Sequence, residues 1–257
     1  AMAGVSTQDG TIAIGYKSLT ALTSGAYNTA VGYLALQTNQ DGSYNTAVGY
    51  EALEVFEANS TNEGQNIGIG YRAGRFISTG EKNTFIGAEA GTGITGTRLT
   101  GDDNTAIGKA AGLLLQGAAH SNTLVGADAG DAMTTANSNV MVGHASGSAV
   151  TTGDNNVCIG KESGVAVTTG QANIAIGYRS LYYATTQADS NVAIGYQSMF
   201  GNFSTADVDG CVAVGRDSLS GVLTSDAANT VAIGRKSLYA LTSGANNLAI
   251  GYQALAA

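Results

Sequence analysis

The chain has 257 residues, of which 44% are hydrophobic, 12% charged, 37 glycine and none proline or tryptophan, and its formal net charge is -8. That apolar content excludes a disordered polar tail, the scattered lysines and arginines form no patch for a nucleic acid, and no apolar run approaches the roughly 20 residues that cross a bilayer. A glycine-rich, charge-poor, proline-free composition is unusual for a globular enzyme and points to internal repetition.

In chain order, residues 1–10 are read as a cloning remnant (Ala1, Met2, Ala3) and lead-in, and residues 11–257 as a single β-solenoid repeat domain. From Thr11 onward a motif of the form N-T-A-V/I-G recurs fourteen times. Its glycines are Gly15, Gly32, Gly49, Gly70, Gly87, Gly108, Gly126, Gly143, Gly160, Gly177, Gly195, Gly215, Gly234 and Gly251. The step is 17 to 21 residues, and seven of the thirteen gaps are 17. A period that lengthens at one phase only implies a fixed coil with one adjustable loop.

Each motif holds a short strand. Valine or isoleucine always precedes the glycine: Ile14, Val31, Val48, Ile69, Ile86, Ile107, Val125, Val142, Ile159, Ile176, Ile194, Val214, Ile233 and Ile250. Two residues earlier stands another valine, isoleucine, leucine or threonine, on the same strand face. This large β-branched pair is expected to form the coil core. The residue between faces the other way and is alanine in nine copies: Ala13, Ala30, Ala47, Ala106, Ala175, Ala193, Ala213, Ala232 and Ala249. A strand apolar on both faces is buried on both. These alanines are therefore expected to form an oligomer interface, against identical chains around a common axis.

Three residues after each glycine comes only alanine or serine. Four after, coils one to three carry leucine, coils four to nine carry Gly74 to Gly164, and the last five return to leucine or methionine. The middle coils are expected to pack or curve differently. Asparagine opens eleven motifs, among them Asn28, Asn45, Asn173 and Asn247, and reads as a turn residue. Glycines such as Gly25, Gly42, Gly80, Gly153, Gly170 and Gly244 supply a second turn.

This grammar, N-T-A-V/I-G-x-x-A/S-L with linkers such as Leu241 to Leu255, resembles the repeats of bacteriophage tail fibres and the related head repeats of trimeric autotransporter adhesins. The resemblance covers Thr11 to Leu255. It implies a left-handed parallel β-roll, a homotrimer, an extracellular place on a virion tail fibre, and attachment to a host surface glycan or outer-membrane receptor. The step of 17 or more exceeds the roughly fourteen of adhesin heads, which leaves a bacterial adhesin head, at the cell surface, as the runner-up. A polysaccharide-degrading tailspike is the reading of another class, and an ice-binding solenoid is disfavoured because no regular Thr-x-Thr array persists.

No catalytic, cofactor-binding or metal-binding constellation is expected. Gly68, Gly70 and Gly74 lack the spacing of a nucleotide loop, and the serine of Gly143 to Gly147 falls one place late for a nucleophile elbow. His120, His144, Cys158 and Cys211 have no metal-ligand spacing, and Cys158 reads as a buried small apolar residue. The acidic pairs that a glycosidase would need are Asp102 with Asp103, Glu51 with Glu54, and Asp207 with Asp209, all in linkers where solvated charge is the ordinary reading. The residue after the motif glycine is tyrosine in seven copies: Tyr16, Tyr33, Tyr50, Tyr71, Tyr178, Tyr196 and Tyr252. Stacked coils turn this phase into a surface ladder that grips sugars or only steadies neighbouring coils. Recognition is expected on the longest linkers, Ala52 to Gln65, Gly91 to Asp103 and Met199 to Gly210.

Overall fold

The computed structural model describes residues 9–58, 60, 63–184, 188–201, 208–223 and 227–256. The cloning remnant and Asp207 lie outside them, as do parts of the linkers Ala52 to Gln65 and Met199 to Gly210. The chain is an all-β solenoid with no helix among the described residues. Every motif becomes one three-residue strand, and the contacts divide the chain into two compact units, Ala1–Asp128 and Ala129–Ala257. The first unit holds β1 (Ile12–Ile14), β2 (Thr29–Val31), β3 (Thr46–Val48), β4 (Ile67–Ile69), β5 (Thr84–Ile86), β6 (Thr105–Ile107) and β7 (Thr123–Val125). The second holds β8 (Val140–Val142), β9 (Val157–Ile159), β10 (Ile174–Ile176), β11 (Val192–Ile194), β12 (Val212–Val214), β13 (Val231–Ile233) and β14 (Leu248–Ile250).

Within each unit the strands pair in parallel in chain order, always like phase on like phase: Ala13 opposes Ala30, and Ala193 opposes Ala213. The motif glycines stack in a column with φ between 123° and 144°, a region closed to side chains. A Cβ on Gly195 would lie 2.7 Å from the carbonyl oxygen of Gly215 in the next coil, so backbone meets backbone with no room between.

The interior reverses the expected facing of the strand. Ala30, Ala47, Ala106, Ala175, Ala193, Ala213 and Ala232 are wholly buried inside their own coils, with Ala249 nearly so and Ala13, in the first coil, half-buried. The eight buried alanines present no surface to another chain, so the oligomer interface expected there is not where they lie. The large pair flanking them points outward: Ile14 is 59% exposed, Ile107 37% and Ile250 64%, and none of the other predicted core residues is buried. The reason is volume. At the strand the coil encloses the central residue, the alanine or serine three places after the glycine, the opening asparagine and, in eight coils, a leucine or methionine, while the remaining interior is filled from the linker by residues such as Phe56, Ile77 and Val150, which leaves little room at the strand centre. Even at Gly68 an added Cβ would come within 2.7 Å of Leu53 Cγ.

The leucine-to-glycine switch belongs to the same packing problem. This phase has left-handed backbone in every coil, φ 48° at Leu53 and 54° at Gly91. Leucine there costs about 1 kcal/mol of backbone strain, offset by the roughly 2 kcal/mol of burying its side chain. Where the strand centre becomes large, the leucine has no space: a Cβ on Gly91 runs into the Phe85 ring, on Gly147 into Met141 and on Gly164 into Cys158. Gly91→Leu alone is expected to destabilise the first unit by about 3 kcal/mol, and Phe85→Ala alone by a similar amount. Together they restore the alanine–leucine pairing of the outer coils and recover about 2 kcal/mol of the combined loss, measurable as a double-mutant cycle in urea.

Asparagine is a core element and not only a turn residue. Asn28, Asn45, Asn66, Asn83, Asn104 and Asn122 in the first unit, and Asn139, Asn156, Asn173 and Asn191 in the second, are all wholly buried. The Asn104 amide donates to Asn83 Oδ1 at 2.9 Å and to the Ala119 carbonyl at 2.8 Å, and its own Oδ1 accepts from the amide of Asn122 at 2.9 Å and its backbone N–H at 3.2 Å. Each rung thus satisfies the next, which an isolated buried amide could not do. In the later coils Cys211 and Thr230 replace it: Cys211 Sγ donates to the Ala227 carbonyl at 3.1 Å, whereas the buried Thr230 hydroxyl has no partner. Asn104→Ala is expected to lower stability by about 3 kcal/mol, because the acceptors and donors on both neighbours lose their partner at once; an unfolding midpoint unchanged in denaturant would contradict it.

Candidate functional site: the outward strand face

The outward face follows from strand alternation: with the central residue inside, positions one before and one after it point out on every coil. In each unit this makes two parallel ladders of seven rungs. At one coil per ~4.8 Å and ~3.3 Å per residue, each unit presents about 29 Å by 10 Å of continuous face, close to 300 Å². The ladder before the centre runs Ile12, Thr29, Thr46, Ile67, Thr84, Thr105 and Thr123 in the first unit. In the second it is wholly aliphatic, from Val140 to Leu248. The ladder after the centre is valine or isoleucine throughout. Not one of these 28 outward side chains is charged, and threonine is the most polar among them. Strands with one face in water usually carry polar residues on that face, so a charge-free, partly exposed face of this regularity is the distinctive surface of each unit.

Beside it runs the tyrosine phase. Tyr16, Tyr33, Tyr50 and Tyr71 stack on one another with ring centroids 5.0 to 5.5 Å apart and planes within 17° of parallel. Tyr178 and Tyr196 are 5.3 Å apart with a 32° tilt, and Arg216 and Arg235 place their guanidinium groups over Tyr196 and Tyr252. The ring faces are therefore spent on neighbouring coils, and edges and hydroxyls remain outward. This is the geometry of a coil-steadying ladder, and a sugar finds no open ring face inside the Tyr16–Tyr71 stack. A second stacked pair, Tyr27 on Tyr44 at 5.1 Å, was not anticipated by the motif, because it sits on the left-handed residue before the asparagine.

Four of the six acidic candidates are occupied structurally. Glu51 pairs with Arg72 at 2.8 Å, and Glu54 with Arg75 at 2.6 Å. Asp102 Oδ1 accepts the Glu81 backbone N–H at 2.8 Å, and Asp209 Oδ1 that of Asp189 at 2.9 Å. Burial, reinforced by Glu63, Asp102 and Asp103 nearby, holds the Glu81 carboxyl above its ordinary range. The hydrogen bond from Arg179, at 2.6 Å, holds that of Glu162 below it. Cys158 is wholly buried and burial alone pushes its thiol up to about 12, so it packs as an inert apolar group. Among the described residues no group of three or more histidine, cysteine or acidic side chains is placed to hold a metal ion, and no helix is long and apolar enough to cross a membrane.

Of the three predicted recognition linkers, Gly91 to Asp103 lies wholly within the described residues. Ile94 bridges Thr97 in antiparallel fashion, making a tight hairpin, and buried Leu99 bridges both Ile77 and Gly117 in parallel. Comparison with protein-family models, with curated proteins and with solved structures found no match.

Proposed function

We propose that this chain is a structural and adhesive segment of an extracellular homotrimeric fibre, of the kind found in phage tail fibres, that holds its surface at a fixed distance and mediates attachment to a host cell. The observation that carries the reading is the charge-free double ladder. A second copy of the chain offers the same ladder at the same coil rise, so rung can meet rung along each unit without any new complementarity having to arise. The count of three, the left-handed coil and the place on a virion rest on the motif resemblance, and the non-enzymatic part of the reading is supported by Glu51, Glu54, Asp102 and Asp209 being engaged in ion pairs and backbone hydrogen bonds. Sedimentation equilibrium tests it: the expected species has three times the 25.7 kDa of one chain. A monomer at micromolar concentration would overturn it, and oligosaccharide released from bacterial capsules would replace it with the tailspike.

A further inference from the structure

Two of the linkers expected to carry recognition converge on one cleft in the first unit. Its volume is about 400 Å³, and it is lined by Thr20 and Ala21 of the first coil, Gln37, Thr38 and Gln40 of the second, Val55 and Glu57 of the third, and Arg98 from the 94–97 hairpin. Arg98 is exposed and adjoins Leu99, whose two bridges fix the backbone from which the guanidinium springs. We propose that this cleft binds a carboxylate-bearing oligosaccharide, with Arg98 receiving the carboxylate. The proposal rests on the attachment reading above and gives that attachment a ligand class.

The chemistry of the lining supports this choice. The Thr20 hydroxyl donates inward to the Lys17 carbonyl at 3.3 Å, and that of Thr38 to the Glu54 and Phe56 carbonyls at 3.2 and 3.1 Å. With their protons so engaged, both oxygens keep lone pairs that can accept from the hydroxyl donors in which a sugar is rich. Glu57 holds the Gln40 amide at 3.0 Å and adds a further acceptor. The donors left are the Gln37 amide, the second N–H of the Gln40 amide and Arg98, whose planar fork suits a carboxylate in two parallel hydrogen bonds. Ala21 and Val55 are the only apolar lining, too little for the side-chain pockets that an acidic peptide would need. The protein's net charge of -8 repels anions in general, so capture of an acidic glycan must be local, at a placed cation.

Calorimetry on the intact protein with a panel of uronate- and sialate-containing oligosaccharides, their carboxyl-reduced neutral counterparts, and hexaglutamate decides the matter. Acidic sugars are expected to bind at least about tenfold more tightly than the neutral forms, more weakly as salt rises, and at least about tenfold more weakly to Arg98→Gln. The assembly mass of that variant is expected to be unchanged, because Arg98 is not on the outward strand face. Equal binding of neutral sugars or of hexaglutamate, indifference to Arg98→Gln, or no binding across the panel overturns the proposal. Any of these with the trimeric mass intact leaves the fibre reading standing, whereas a monomer that still binds acidic sugar overturns the trimer and keeps the cleft.

Discussion

Ala106→Arg is expected to unfold the coils around β6, with loss of the β signal in circular dichroism and new protease sensitivity between Phe85 and Leu124. Ala106 is wholly buried inside its coil, and arginine brings both volume and an unpaired charge. Burying that charge without a partner costs more than about 5 kcal/mol. A solenoid has only nearest-neighbour stacking to absorb such a loss, so the damage spreads to the coils on either side instead of being diluted through a large core. Ala106→Ser, which adds one hydroxyl, is expected to be far milder. An arginine variant that keeps its coil but loses its partners would mean that the central residue faces another chain after all.

The opposite outcome is expected one residue along. Ile107 is 37% exposed in the single chain and Ile194 is half-exposed, so aspartate at both sites can be hydrated in a monomer and the coil should survive. In the proposed trimer each substitution would bring three carboxylates together where no charge now stands. The expected result is an assembly that dissociates at least about a hundredfold more readily, seen as a fall from trimeric to monomeric mass with little change in the dichroism spectrum. A trimer of unchanged stability would place the contact between copies elsewhere on the coil. The two substitutions separate core from contact surface because they sit on neighbouring residues with opposite facing.

Much of the fold is legible in the motif. The fourteen glycines locate every strand, because φ near 130° admits no side chain, and at positions such as Gly15 and Gly195 a carbonyl of the next coil also stands against the glycine. The strict alanine or serine three places later, and the alternation of leucine with glycine at the next position, announce tight stacking with a changed middle. What the changed middle does is legible only once Phe85 is seen against Gly91, since the two lie in different phases of the repeat and nothing in spacing says that they share a cavity. The asparagines carry a similar ambiguity. A side chain that suits a turn is equally suited to a ladder, and only the coil-to-coil register decides that Asn104 bonds Asn83 and Asn122.

The candidate surface was half legible. That the strand is apolar on both faces follows from residues such as Thr105, Ala106 and Ile107; which face is inside does not. Period-two alternation separates the faces without assigning them, and burial of area by itself favours the larger, more hydrophobic pair as the core. The coil interior is too narrow for that choice, and volume outweighs area. The cleft at Arg98 was legible only as two suspicious linkers, for the hairpin that carries one toward the other is a product of the Leu99 bridges. Sequence by itself thus determined the repeat, its period, the strand positions and the absence of charge from both faces, since these are local properties of each copy. Only the tertiary structure decided what is inside and what is out, because that depends on how much space one coil encloses, a quantity that no single repeat contains.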